Sequence, residues 1–283
     1  MDVRRKRRWR SVLIALVTLA VIIGGISYVF WPQVFALIED ELIYARKAKH
    51  WATYSTGTTL PGTPKLSALN ERLASRNLTA GAPVLIRIFK REFELEVWMQ
   101  RDGRFELFET YPICMWSGKL GPKVREGDKQ APEGFYTVDS TALNPNSKYH
   151  LSFNLGYPNA FDRSHGRTGS FLMVHGDCRS IGCYAMTDRV IDEIWSLLTS
   201  ALTAGQKRVQ VQAFPFRMTA TNMSLHAANP NIGFWRQLQQ GHDAFLRDRV
   251  PPVVSVCDGR YTIGPATGDS DGSVPIEVTC PAT

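Results

Sequence analysis

A chain of 283 residues with 44% apolar and 21% charged residues has the material for one packed domain with attachments, or two small ones, which excludes a disordered tail protein. Its formal charge of +7 is concentrated at one end: Arg4, Arg5, Lys6, Arg7, Arg8 and Arg10 against Asp2 place +5 in the first ten residues and leave +2 for the rest. A nearly neutral remainder excludes an extended phosphate-binding surface, so no nucleic-acid partner is expected.

Residues 1–10 read as a basic cytoplasmic tail, and residues 11–31 are uncharged and mostly apolar. About 20 such residues cross a bilayer as a helix, whereas a secretory h-region runs about 7–15. Positive charge ahead of the run keeps the N-terminus in the cytoplasm, and Tyr28, Phe30 and Trp31 suit a membrane interface. The expectation is a transmembrane helix over 11–31, making the membrane a partner of the chain, or a signal cleaved near Val34-Phe35-Ala36. In either case the rest is exported to the cell envelope, with the folded part periplasmic and, if uncleaved, anchored in the inner membrane.

Residues 32–82 form a helical stalk, or a helix lying on the domain, followed by a linker: Phe35, Leu37, Ile38, Leu42 and Ile43 alternate with charges, Ser55 to Pro64 is turn-rich, and Leu66, Leu69 and Leu73 mark a short helix. The folded domain is expected over 83–217. Val84–Phe89 and Glu92–Trp98 read as strands, the second with strict alternation that predicts one wet face, and Asp102-Gly103 turns it into Phe105–Tyr111. Ala131–Val138 is a further strand. Residues 139–170 read as a long polar and aromatic loop, a lid or binding surface in which Tyr149, Asn154, Tyr157 and Arg167 suit an amide-rich ligand bearing carboxylates.

An apolar run then ends at His175-Gly176, a short polar loop follows, and Ser180-Ile181-Gly182-Cys183 closes it. A thiolate attacks a carbonyl far better than a thiol, so a cysteine nucleophile needs a base beside it. Cys183 and His175 are the candidates for that pair. His150 and His165 rank below His175 as bases, because each sits in loop. The turn at Ser180 and Gly182 can offer backbone N–H donors to an oxyanion, since Gly182 permits close approach. Val190 to Ala201 is an amphipathic helix with Thr187-Asp188 as its cap, its dipole placed to favour a thiolate, and Val209–Phe214 closes the sheet.

His175-Gly176 followed by Ser-x-Gly-Cys resembles the YkuD-type L,D-transpeptidases, and Ser117-Gly118-Lys119 with Pro132-x-Gly134-x-Tyr136 extends the resemblance over about residues 83–217. A short His-to-Cys loop, and Ala185 where the family commonly has Arg, resemble its YafK-type branch. Phe214-Pro215-Phe216-Arg217-Met218 and the helix before Pro251-Pro252 also resemble that branch. The resemblance implies an α+β, mainly antiparallel β YkuD-like catalytic domain with flanking helices, here preceded by the transmembrane helix. It implies cysteine-dependent acyl transfer on peptidoglycan stem peptides through a Cys183 thioester, in cell-wall organisation and cell shape. It assigns the Gly176 carbonyl to fixing the His175 tautomer, with Asp177 as the alternative. A murein hydrolase that releases an outer-membrane lipoprotein or another wall-linked protein is the second reading, and a non-catalytic wall-binding module the third.

Residues 218–283 read as an appendage, with a helix around Phe234 to Leu246, a hairpin around Asp258-Gly259 and a loose Gly/Asp/Ser run over 268–273. Five cysteines allow at most two disulfides and one free thiol. Cys257 and Cys280 are candidate partners. Cys178 is paired with Cys114, is a small buried residue, or locks the nucleophile reversibly. His175, Cys178 and Cys183 together could ligate a metal, but the spacing is irregular and no second Cys or His pair accompanies it, so no metal and no cofactor is expected.

Overall fold

The computed structural model describes residues 3–265 and 274–280, with side chains at only some positions before Val34; the 268–273 run lies outside the described residues. In chain order the elements are α1 (Val3–Ser55), α2 (Leu69–Ser75), β1 (Val84–Phe89), β2 (Glu94–Arg101), β3 (Arg104–Pro112), β4 (Met115–Trp116), β5 (Gly134–Val138), β6 (Leu143–Ser147), β7 (His150–Asn154), α3 (Ala160–Ser164), β8 (Met173–His175), β9 (Tyr184–Ala185), α4 (Asp188–Thr203), β10 (Val209–Phe214), α5 (Ala220–Leu225), α6 (Ile232–Asp248), β11 (Val253–Cys257) and β12 (Arg260–Gly264).

Two five-stranded sheets, ordered β3-β2-β1-β10-β5 and β4-β9-β8-β7-β6, face each other. Ile86, Ile88, Leu95, Val97, Tyr136, Val138 and Val211 of the first meet Phe153, Val174 and Tyr184 of the second, and the apolar stripe of α4 from Val190 to Ala201 joins the same core. Each strand of a two-sheet core sends alternate side chains inward, so His175 and Ala185 are turned to the opposite face from Val174 and Tyr184. That leaves His175 free for chemistry. The outer face of the first sheet is covered by α6, whose Trp235 and Leu238 pack with Phe89, Phe135 and Phe214.

Several expectations need correction. Among the described residues no helix is long and apolar enough to cross a membrane, which overturns the transmembrane helix at 11–31. The apolar run is not a separate element: it continues without a break into the charged stretch from Glu39 to Lys49 as one helix of 53 residues. The end of that helix lies on the domain, with Glu39 ion-paired to Arg91 at 2.9 Å and to His226 at 2.8 Å, and Lys47 Nζ donating to the Gly118 carbonyl at 2.8 Å. The linker beyond it is pinned by Leu60, which is buried against Cys114 and Cys178.

β2 has no wet face. Glu96 is buried, accepting from Arg217 at 2.8 Å and from the Trp98 indole at 2.8 Å, because the C-terminal segment covers that side. Alternation reports polarity, and a buried carboxylate with two donors has the same pattern as an exposed one. Residues 139–170 are not one loop but carry β6, β7 and α3, the last opened by a capping box between Asn159 and Asp162. β10 does not end the sheet; it runs parallel to β1 and lies between β1 and β5.

Lys90 is fully buried at the end of β1, where its ammonium donates to the carbonyls of Lys119, Gly121 and Ala131 at 3.0 Å each and to Glu133 at 2.9 Å. Glu133 also accepts from the Trp235 indole at 2.8 Å. This cluster gathers the 117–131 segment onto the sheet. Removing one member strands the other charge, so Lys90→Met is expected to cost about 3–5 kcal/mol, read as a lower urea midpoint; a loss under about 1 kcal/mol would show the ammonium to be dispensable.

Candidate active site

β8 and β9 are parallel and pair Val174 with Tyr184 and His175 with Ala185. Carried back one position, the same register sets Cys183 beside Met173, and the Met173 N–H meets Cys183 Sγ at 3.4 Å. In strands, residues two apart share a face, so the thiol and the imidazole project to the same side of the sheet from neighbouring chains. Cys183 is partly exposed and is the free cysteine among the described residues. Its thiol points to the Phe171 carbonyl at 3.7 Å, and Phe171 and Ile181 are exposed apolar side chains.

His175 is buried, and its Nδ1 lies 2.5 Å from the Gly176 carbonyl. A carbonyl only accepts, so Nδ1 carries the proton and Nε2 presents a lone pair. Asp177 does not take this role, because its carboxylate is held by the Cys178 N–H and the Arg179 guanidinium. Gly176 is required by space: a Cβ there would lie 2.7 Å from Asp188 Oδ1 and 2.9 Å from His150 Cβ. The ring of Tyr149 covers His175 at 4.9 Å between centroids.

Burial pushes the Cys183 thiol up, against the pull of the Met173 N–H and the Lys123 charge. Burial also pushes His175 down, opposed by the Gly176 carbonyl and by Asp177. Both shifts disfavour the charged forms. At the start of α4, Asp188 accepts the Asp177 N–H at 2.6 Å.

Disulfides join Cys114 to Cys178 and Cys257 to Cys280. The first ties the segment after His175 to the start of β4 across 64 residues of sequence, so Cys178 is not available to lock the nucleophile. Cys257, Asp258 and Cys280 come together as three potential ligand groups, but two of them are spent in the second disulfide.

Among the four proposed substrate contacts, the structure brings Tyr149 onto His175 and sets Asn154 opposite Met173, where its side chain accepts the Gly156 N–H at 3.0 Å. Tyr157 is buried in the core with its hydroxyl on the Lys123 carbonyl at 3.2 Å, and Arg167 is ion-paired to buried Asp162 at 2.9 Å. These two hold loops together. His165 stacks on Phe161, and His150 pairs with Asp192 at 2.6 Å. Ser180 donates to the Cys183 carbonyl at 2.7 Å, while the Gly182 N–H is committed to Ser117 Oγ at 2.5 Å and is not free for a substrate oxygen. Ser117 is the site residue that sequence reasoning passed over; its only signal was a Ser-Gly-Lys at a strand end. Lys123 was missed too, since a lysine in a polar loop gives no sign that it is buried or that its charge reaches the thiol.

A domain of two facing sheets with a His-Gly strand end beside a Ser-x-Gly-Cys turn has the site of a YkuD-type catalytic domain. The family model for the L,D-transpeptidase catalytic domain, YkuD, matches residues 83–212. Over 183 residues the chain is 50% identical to "Putative L,D-transpeptidase YafK" of Escherichia coli strain K12, covering 65% of this chain and 74% of that protein, and the same holds for its counterpart in strain O157:H7. The helical cell shape determining protein Pgp2 of Campylobacter jejuni aligns with a TM-score of 0.39 at 20% identity, over 64% of this chain and 67% of that one. The chain belongs to the L,D-transpeptidase family, enzymes of the bacterial cell wall.

Two measurements follow from this geometry. Because burial raises the thiol above its usual value of about 8.5, the thiolate is the minor species at neutral pH, and iodoacetamide alkylation of Cys183 should still be accelerating at about pH 9. A rate already flat from about pH 6 would instead mean a preformed thiolate–imidazolium pair. Replacing Cys114 and Cys178 together by Ala should cost about 2–5 kcal/mol in urea unfolding, and an unchanged midpoint would show that the bond carries no stability.

Proposed function

We propose that this chain catalyses acyl transfer on peptidoglycan stem peptides with Cys183 as nucleophile and His175 as base. The observation that carries the reading is a free thiol on the same face of adjacent strands as an imidazole whose Nδ1 proton is fixed on the Gly176 carbonyl. His175 Nε2 takes the thiol proton as sulfur attacks a peptide carbonyl. The tetrahedral oxyanion is met by backbone N–H groups, the C–N bond breaks, and the imidazolium proton leaves on the departing amine. A thioester remains on Cys183. An acceptor amine then attacks it, His175 removes the amine's proton, and the new peptide bond forms as the thiol regains that proton.

Hydrolysis is the second reading, with water replacing the amine and a wall-linked lipoprotein or peptide released. It is favoured by Ala185, which is fully buried between Met115 and His175 and offers no contact to a substrate carboxylate where the family resemblance expects Arg. A less firmly held acceptor lets water compete for the thioester. Two disulfides support an oxidising compartment, and we place the working enzyme in the cell envelope outside the cytoplasm.

The test is intact-mass analysis of the protein and its products after incubation with muropeptides and, separately, with lipoprotein-linked peptidoglycan fragments. A thioester adduct and cross-linked products, both absent in Cys183→Ala with turnover down on the order of 10³-fold or more, would support transfer. Release of peptide or lipoprotein without cross-links would select hydrolysis. Binding of fragments with no Cys183-dependent product would leave a wall-binding module.

A further inference from the structure

We propose that Ser117 is a positioning residue for acyl transfer at Cys183, an inference that rests on the reading above. Ser117 follows β4, whose Trp116 pairs with Tyr184, so its side chain stands beside the turn that delivers the nucleophile. Its Oγ accepts the Gly182 N–H at 2.5 Å, and the Ser180 hydroxyl lies 3.2 Å away. Ser180 in turn donates to the Cys183 carbonyl at 2.7 Å. The single Ser180 proton is shared between the Cys183 carbonyl and Ser117 Oγ, so Ser117 Oγ accepts from Ser180 as well as from the Gly182 N–H. The turn from Ser180 to Cys183 therefore hangs on one oxygen atom that lies outside it.

This attachment decides which amide meets the substrate. A tetrahedral oxyanion is stabilised only by donors already aimed at it. The Gly182 N–H is spent on Ser117, whereas among the described residues the Cys183 N–H has no hydrogen-bond partner. Ser117 thus draws one amide of the turn toward β4 and leaves the nucleophile's own amide as the donor. Gly182 has φ of +121°, open to glycine, with Leu172 Cδ2 3.3 Å from where a Cβ would stand.

Ser117 is itself held from several directions. Its carbonyl accepts the Ala131 N–H at 3.0 Å, the next carbonyl accepts Lys47 Nζ at 2.8 Å, and the Lys119 carbonyl accepts the buried Lys90 ammonium at 3.0 Å. Such a support is fixed before substrate arrives, which is the condition for electrostatic stabilisation without reorganisation. The sulfur, by contrast, is held by the Met173 N–H and the Phe171 carbonyl, on the other side of the site. Thiol reactivity and oxyanion support are therefore separable.

The experiment uses two reactions of Cys183 in the full chain: acylation by p-nitrophenyl acetate, which passes through an oxyanion, and alkylation by iodoacetamide, which does not. Ser117→Ala should slow acylation about 10- to 100-fold, leave the alkylation rate and its pH profile unchanged, and lower kcat on muropeptides with KM within about 2-fold. Ser117→Thr, which restores the hydroxyl, should recover most of the acylation rate. Unchanged acylation in Ser117→Ala, or equal loss of acylation and alkylation, would overturn the proposal, the second result marking a purely structural serine. Failure of the peptidoglycan reading would show differently, as wild-type acylation by the ester with no turnover of any muropeptide.

Discussion

The site depends on a ladder only two pairs long, Val174 with Tyr184 and His175 with Ala185. So short a parallel pairing has little stability of its own, and a slip of one residue would turn either the thiol or the imidazole to the wrong face. The register is held from outside. Val174 and Tyr184 are fully buried in the inter-sheet core, and the Tyr184 hydroxyl donates to the Pro132 carbonyl at 2.5 Å. The Met186 N–H reaches the His175 carbonyl at 2.7 Å, continuing the ladder past its last pair. Burial of one face fixes what the other face presents.

The same burial sets the resting chemistry. Burial penalises a thiolate and an imidazolium standing free, and both groups shift accordingly. No carboxylate orients the imidazole, since a main-chain carbonyl does so, and Asp177 is turned to Arg179 and to the backbone. Its charge still reaches His175 and opposes the effect of burial.

Legibility followed how directly physics maps onto residue type. β1, β3, α4 and β10 are readable because apolar periodicity reports which side is buried, and the structure sets Cys183 and His175, the thiol and imidazole bracketing a glycine turn, on one face of adjacent strands. What failed was polar burial. Glu96, Lys90, Lys123, Tyr157 and Arg167 all look like surface or ligand-binding residues, yet each is buried or nearly so with a named partner. A polar residue carries no mark of whether its partner is water, substrate or a strand remote in sequence. The 139–170 segment was misread for a related reason: its Asn and Tyr side chains serve short strands and a capped turn of helix, where turn-forming composition suggests loop.

The end of the N-terminal helix lies on the domain, and its last four turns reach the segment that carries Ser117. Lys47 lies over the Trp116 ring at 3.8 Å while donating to the Gly118 carbonyl, and Asp40 pairs with Lys119 at 2.5 Å. His50 Nδ1 meets the Ile113 carbonyl at 2.9 Å, just ahead of the disulfide at Cys114. α1 therefore grips β4 on both sides of the two residues that pair with β9. Burial lowers Lys47 to about 8, the nearby Lys90 charge adding to the shift, so at neutral pH most of this ammonium is still charged and its bond to Gly118 is charge-assisted. As the pH rises through that value the proton is lost and the bond weakens, and with it the hold on the residue next to Ser117. The helix thus contacts the segment around β4 that also bonds the turn carrying Cys183.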